Sequence, residues 1–331
     1  MGTRGLRVLT VVSVLGMALT ACTSGSASDS TGADGRTVVD GNGVSVTVPR
    51  SPARVVALSE PTLDGALALG VDVVGTTSGR GQGSVPGYLS DQADGIPIVA
   101  SVAGPNIEQI LVLKPDLIVT DGTVAADESV LGKLAGIAPT VFVSKKAADW
   151  KGAFTSLAEV LGKSAEAEKV LAGYASRVDE IRGKLGDHAD DTVSIVRWGT
   201  GQPSVILKEL PPSKVVADVG LRRPAAQDKD GLGHSTPVSR ENLDQLDADW
   251  MFFGTLGGAT NPQGGNTGTA VGVEASAKML QDDALVTPGF TQLTAYRNKH
   301  VIPVDGSAWA SAGGPFAATV ILDQLGTALL N

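Results

Sequence analysis

Residues 147–188 read AADWKGAFTSLAEVLGKSAEAEKVLAGYASRVDEIRGKLGDH, and the parsing of the whole chain turns on them. The stretch has no proline and little turn chemistry. Its apolar residues Leu157, Val160, Leu161, Ala165, Val170, Leu171, Tyr174, Val178, Ile181 and Leu185 recur at roughly helical spacing, which gathers them on one face. Gly162 and Gly173 are the two positions at which the run can break. The pattern predicts one long helix, preceded by a shorter one.

On either side of this rod the pattern changes. Upstream, Arg54–Leu58 reads as a buried strand, Pro61–Leu69 as a helix stopped by Gly70, and Val71–Gly75 and Ile96–Val99 as further strands. A helix over Asn106–Leu113 leads to a strand over Asp116–Thr120. A helix over Asp127–Ala135 leads to a strand over Thr140–Val143. Downstream the alternation resumes at Thr192. Strands alternating with helices imply mostly parallel sheets covered on both faces. The expected fold class is therefore α/β: two Rossmann-like lobes, over 37–147 and 190–331, joined by a helix over 148–189. The lobes also echo one another. Aligning Glu108 with Glu241 sets Ile110 against Leu243, Leu113 against Leu246 and Asp116 against Asp249. Each segment is an acid in a first helical turn, an apolar stripe, and a strand opened by Asp.

Composition narrows the partners. Among 331 residues, 42% are hydrophobic and 18% charged, enough to build real cores, and 42 Gly and 17 Pro imply many turns. A net charge of −9 argues against nucleic acid. The three histidines, at 188, 234 and 300, are scattered. Neither a Gly-x-Ser-x-Gly elbow nor a His-Glu-x-x-His motif is present, so nothing points to an enzyme. A bare zinc or manganese ion would want more converging His and carboxylate ligands.

The amino terminus reads as a targeting segment over 1–21. Arg4 and Arg7 precede an apolar run, Val8–Leu19, too short to span a bilayer, and small residues then lead to Cys22. The order Leu19-Thr20-Ala21-Cys22 resembles the lipobox of bacterial lipoproteins. That resemblance implies cleavage before Cys22, lipidation of this one cysteine, and anchorage at the outer face of the cell membrane. Residues 22–36 carry no large apolar side chain and read as a flexible tether. Removal of 1–21 leaves 24 basic side chains against 35 acidic ones, a net −11.

Four segments spread over nearly all of the remaining chain carry a wider likeness. They are RVVALSEPTLDGALALGVDVVG (54–75), GPNIEQILVLKPDLIV (104–119), VSRENLDQLDADWMFF (238–253) and KHVIPVDGSAWASAGGPFAATVILDQL (299–325). In order and spacing they resemble the helix-linked class of ABC-importer solute-binding proteins, which serves ferric siderophores, haem and cobalamin. The resemblance implies a ligand gripped between the lobes, a monomeric binding protein rather than an enzyme, and no cofactor, iron arriving only inside the bound chelate. It also implies that Glu108 and Glu241 dock onto arginines of a dimeric permease, although an acid in a first helical turn is favourable in any case.

The candidate ligand contacts follow from position. Arg197 and Trp198 end the strand that begins at Val193, and ligands bind beyond the carboxyl ends of parallel strands. Arg offers a planar fork for chelate oxygens. Trp309, amid Gly, Ser and Ala after a strand, matches an aromatic that members of the class place in the cleft. His234 lies seven residues before Glu241, where some catecholate-binding members carry an iron-coordinating His. Its usual Tyr partner beside Trp309 is replaced here by Ala308 and Ala310. Val102 stands where hydroxamate- and cobalamin-binding members have Arg or Trp. Arg80 and Tyr88, in the loop Ser78–Leu89, could supply that cation and ring, and Arg222-Arg223 could reach the cleft or cap a helix. Core tryptophans, structural ion pairs and solvated loop residues are the plainer assignments for these side chains. The expected cargo is a ferric siderophore, hydroxamate type favoured, with haem or cobalamin as the alternative.

Overall fold

The computed structural model describes residues 35–125, 127–145, 149–199, 202–230, 234–256 and 272–330. The expected signal segment, Cys22 and nearly all of the expected tether lie outside the described residues. The first strand opens at Gly35, just ahead of the expected boundary: β1 (Gly35–Val39) and β2 (Ser45–Pro49) form an antiparallel hairpin of their own.

The first lobe comprises β3 (Val55–Ala57), α1 (Glu60–Ala68), β4 (Val73–Thr77), β5 (Ile98–Ser101), β6 (Gly104–Pro105), α2 (Ile107–Leu113), β7 (Leu117–Thr120), α3 (Glu128–Ala135) and β8 (Thr140–Phe142). Its sheet runs β6-β5-β4-β3-β7-β8, parallel throughout except for the short edge strand β6. The strands read as unbroken apolar runs because both faces are covered. Val55 and Ala57 face one core, and Val56 the other.

The rod is two helices. α4 (Trp150–Leu161) ends at Gly162, whose φ of 72° suits a residue without Cβ. α5 (Ser164–Lys184) follows for 21 residues, about 30 Å, with Gly173 inside it.

The second lobe comprises β9 (Val193–Arg197), β10 (Ser204–Ile206), α6 (Pro211–Val219), β11 (Ser235–Pro237), β12 (Trp250–Thr255), α7 (Gly272–Met279), α8 (Thr294–Arg297), β13 (Val301–Asp305), α9 (Gly306–Trp309) and α10 (Pro315–Leu330). Its sheet runs β11-β10-β9-β12-β13. Strands β9, β12 and β13 are parallel, and β10 and β11 each run antiparallel to the strand beside them. Both lobes are thus α/β with mostly parallel sheets.

The internal echo has a physical counterpart. Asp116 accepts backbone N–H bonds from Ala53 and Arg54 at 2.7 and 3.0 Å, just ahead of β3. Asp249 accepts the N–H and hydroxyl of Thr192, each at 2.7 Å, just ahead of β9. Each Asp pins the first central strand of its lobe to the next. The echo differs at its start. Glu108 lies in the first turn of α2, but Glu241 lies in a turn ahead of a 3-10 segment, Leu243–Leu246. Four residues there leave room for buried Leu243 and Leu246 and no α-helix.

Three helices brace the lobes together. α4 and α5 each send side chains into both lobes: Phe154 and Ala167 into the first, Trp150, Tyr174 and Ile181 into the second. α10 adds a third strut. Asp64, fully buried on α1, accepts N–H bonds from Gly314, Phe316 and Ala317 at 2.8, 2.9 and 3.0 Å, and so caps α10 from the opposite lobe. One turn earlier on α1, buried Glu60 accepts the Ser311 hydroxyl with one oxygen and the Arg80 N–H, at 2.7 Å, with the other. Burial raises the pKa of both acids, partly offset by these hydrogen bonds.

Candidate functional site

Three basic side chains meet at the carboxyl ends of the two sheets. Arg80 follows β4 in the first lobe, and its loop is held by the bond from its own N–H to Glu60. Arg197 ends β9 in the second lobe, on the same sheet face as Val193 and Ile195, and its Nη2 donates to Ser235 Oγ at 2.8 Å. His234 directly precedes that serine. Their charges act on one another. Burial, then the charge of Arg80, lowers the Arg197 pKa. Burial, then Arg80 and Arg197, lowers that of His234 to about 4. The imidazole is therefore neutral near pH 7 and keeps a lone pair.

The acid that this cluster acts on is Glu60, which accepts the Arg80 N–H and feels the Arg80 charge, though burial raises its pKa. Among the described residues no carboxylate forms an ion pair with Arg80 or Arg197, and the buried Arg80 Nε has no hydrogen-bond partner. Two guanidinium groups drawn toward each other, partly desolvated, are costly unless an anion joins them. Arg80, Arg197 and the neutral His234 imidazole are together a candidate site for an anion.

The two tryptophans expected in the cleft are corrected by the structure: both are 0% exposed. Alternation along β9 turns Trp198 to the face opposite Arg197, where it packs on Phe253 and Phe290 and donates Nε1–H to Asp283 at 2.6 Å. Trp309 stacks on Phe252 at 4.3 Å and donates to Gln324 on α10. A ring that large, followed by an apolar helix, goes to the core. Tyr88 is also displaced from its expected place at the cleft edge. Its ring packs against the cores of both lobes, its hydroxyl is buried beside Asp64, and its N–H reaches Ser307 Oγ at 3.3 Å. Burial and the charges of Asp64 and Glu60 push its pKa well up.

Val102 occupies the exposed turn between β5 and β6. Glu108 and Glu241 are both exposed. Arg223 is turned inward, donating to Val193 O and Gln227 Oε1, while Arg222 holds Asp190. Sequence reasoning passed over Glu60 and Asp64. Their signal was two acids one turn apart in a helix whose other residues are apolar or small. A concavity of about 990 Å³ lies between the β1–β2 hairpin and α3, and none of the basic cluster lines it.

Comparison with known proteins agrees with this architecture. The model of the periplasmic binding protein family matches residues 55–308. The probable siderophore-binding lipoprotein YfiY of Bacillus subtilis is 31% identical over 324 residues, 95% of each chain. The iron(3+)-hydroxamate-binding protein FhuD of the same species is 29% identical over 248 residues, 72% of this chain and 76% of that one. Staphylococcus aureus SirA, solved with staphyloferrin B, superposes with a TM-score of 0.70 at 24% identity, over 88% of this chain and 97% of its own. Bacillus subtilis FeuA, solved with ferri-bacillibactin, gives 0.68 at 21%, over 89% and 98%. The likeness to the two solved proteins concerns the fold. With most of its length matched by one family model, and a relative this similar from end to end, the chain belongs to the periplasmic binding protein family.

Proposed function

We propose that this protein captures a ferric siderophore in the gap between its lobes and delivers it to an ABC permease for iron uptake. Family membership makes it a binding protein of a transporter rather than an enzyme. The observation that carries the ligand reading is the pair Arg80 and Arg197, one from each lobe, whose guanidinium groups form no ion pair among the described residues. Three hydroxamate arms neutralise Fe³⁺ completely, whereas carboxylate and catecholate arms leave negative charge over. The arginine pair therefore moves the preference from the hydroxamate type expected above to an anionic, oxygen-rich ferric complex. His234, kept neutral, is placed to donate a hydrogen bond or a lone pair to that complex. Iron belongs to the cargo and not to the protein.

The bracing by α4, α5 and α10 supports a small closure on binding rather than a wide hinge. In this reading the protein is a monomer outside the cell, held by lipidated Cys22, and Glu108 and Glu241 engage a two-part permease. Calorimetry of the soluble protein beginning at residue 23 tests the ligand, using ferric citrate-type, tricatecholate and trihydroxamate complexes, haem and cyanocobalamin. Anionic ferric chelates are expected to bind at least tenfold tighter than the rest. Preference for haem or cobalamin would overturn the cargo. Reversing both Glu108 and Glu241 to Arg should abolish uptake and leave binding intact; loss of binding refutes the docking role.

A further inference from the structure

The two expected docking acids have unlike surroundings. Leu111 and Val112 follow Glu108 by three and four positions, so all three share one face of α2. Their neighbour Ile110 is fully buried, yet Leu111 is 58% and Val112 77% exposed. Val112 is the most exposed large apolar side chain among the described residues, and no other two of these are adjacent in sequence. At the matching positions after Glu241 stand Asp244 and Gln245, both exposed and polar. The neighbouring Arg240 is taken up by Asp283 and by the face of Trp198. One seat thus offers a carboxylate beside an apolar step, and the other two carboxylates and no apolar step.

We infer that Leu111 and Val112 form an apolar anchor beside Glu108 for one half of the permease, so that the protein docks in a single orientation. The inference rests on the docking role of the two acids. Charge alone cannot distinguish the seats, because each presents an acid to a basic partner. An exposed Leu-Val pair can, since burying it strengthens one seat only, by roughly tenfold or more. The partner half facing α2 carries an apolar recess beside its basic group. The half facing Glu241 and Asp244 is basic and flat.

The test uses ligand-loaded protein and, in nanodiscs, the permease with which it supports uptake. L111S/V112S should weaken docking tenfold or more and leave chelate affinity within twofold. A photoreactive group at 112 should label one permease half, and one at 245 the other. Docking at wild-type strength by the double variant overturns the inference, as does equal labelling of both halves from both positions. A permease of two identical subunits overturns it too. E108R and E241R separate the two layers: if neither weakens docking, the role of the acids falls first. If both weaken it while labelling is equal, only the single orientation falls.

Discussion

Replacing Asp64 with alanine removes the cap that α1 places on α10 across the lobe junction. Three N–H groups, at 2.8, 2.9 and 3.0 Å from the carboxylate, lose their acceptor in a fully buried place. Each buried donor left unpaired costs about 1–3 kcal/mol. The helix also loses a negative charge at its amino end, worth up to about 2 kcal/mol when partly buried. Water entering the space left by the carboxylate restores part of this, so a total of about 3–5 kcal/mol is expected for D64A and about 2–3 for D64N, which keeps one acceptor oxygen. At roughly 2 °C per kcal/mol in a chain of this size, D64A should melt about 6–10 °C lower. Urea unfolding followed by far-UV circular dichroism gives the free energy, and hydrogen exchange gives the location. The amides of Phe316 and Ala317 should lose protection before those in the middle of α10. A D64A protein within 1 kcal/mol of wild type, with those amides still protected, refutes the bridging role.

Arg80→Ala and Arg197→Ala should each weaken an anionic ferric chelate by about 10–100-fold, the worth of a charged hydrogen bond, and a neutral chelate by much less; calorimetry on both ligands checks this. His234 should titrate near pH 4 by NMR, and Arg197→Ala should move the midpoint upward by removing a positive neighbour. The folded-state value lies below the unfolded 6.5. The stabilising contribution of the neutral ring is therefore full above about 6.5 and is lost as pH falls from there through 4. Trp198→Phe should lower the melting temperature by breaking the Nε1–H bond to Asp283, while chelate affinity stays within twofold; a large loss of affinity would return this ring to the binding site.

Much of the fold was legible because buried parallel strands write themselves as apolar runs. Val55–Ala57, Leu117–Thr120 and Thr140–Phe142 each fall inside a stretch that sequence assigned as strand. The rod was legible from its period, and Gly162 rather than Gly173 breaks it because only Gly162 has a left-handed φ. The structure brings together Arg80 and Arg197, chosen for their nearness to strand ends, and His234, chosen for its spacing to Glu241, and takes both tryptophan rings into the cores. Which sheet face Trp198 takes depends on a register that one residue of slip would invert. Glu60 and Asp64 escaped notice because their partners lie about 250 residues away, a pairing no local pattern announces. The antiparallel return of β10 and β11 was hidden for a similar reason: three-residue strands carry too little pattern to show direction.

The bonds from Asp64 to Gly314, Phe316 and Ala317 close a loop spanning most of the polypeptide. A ribosome must therefore release nearly the whole chain before the first lobe can receive its final stitch. Closure over so long a span slows folding relative to a chain held by local contacts. For a polypeptide expected to thread a secretion channel as an extended strand, delay is an advantage: the lobes are joined only after residue 317 has crossed.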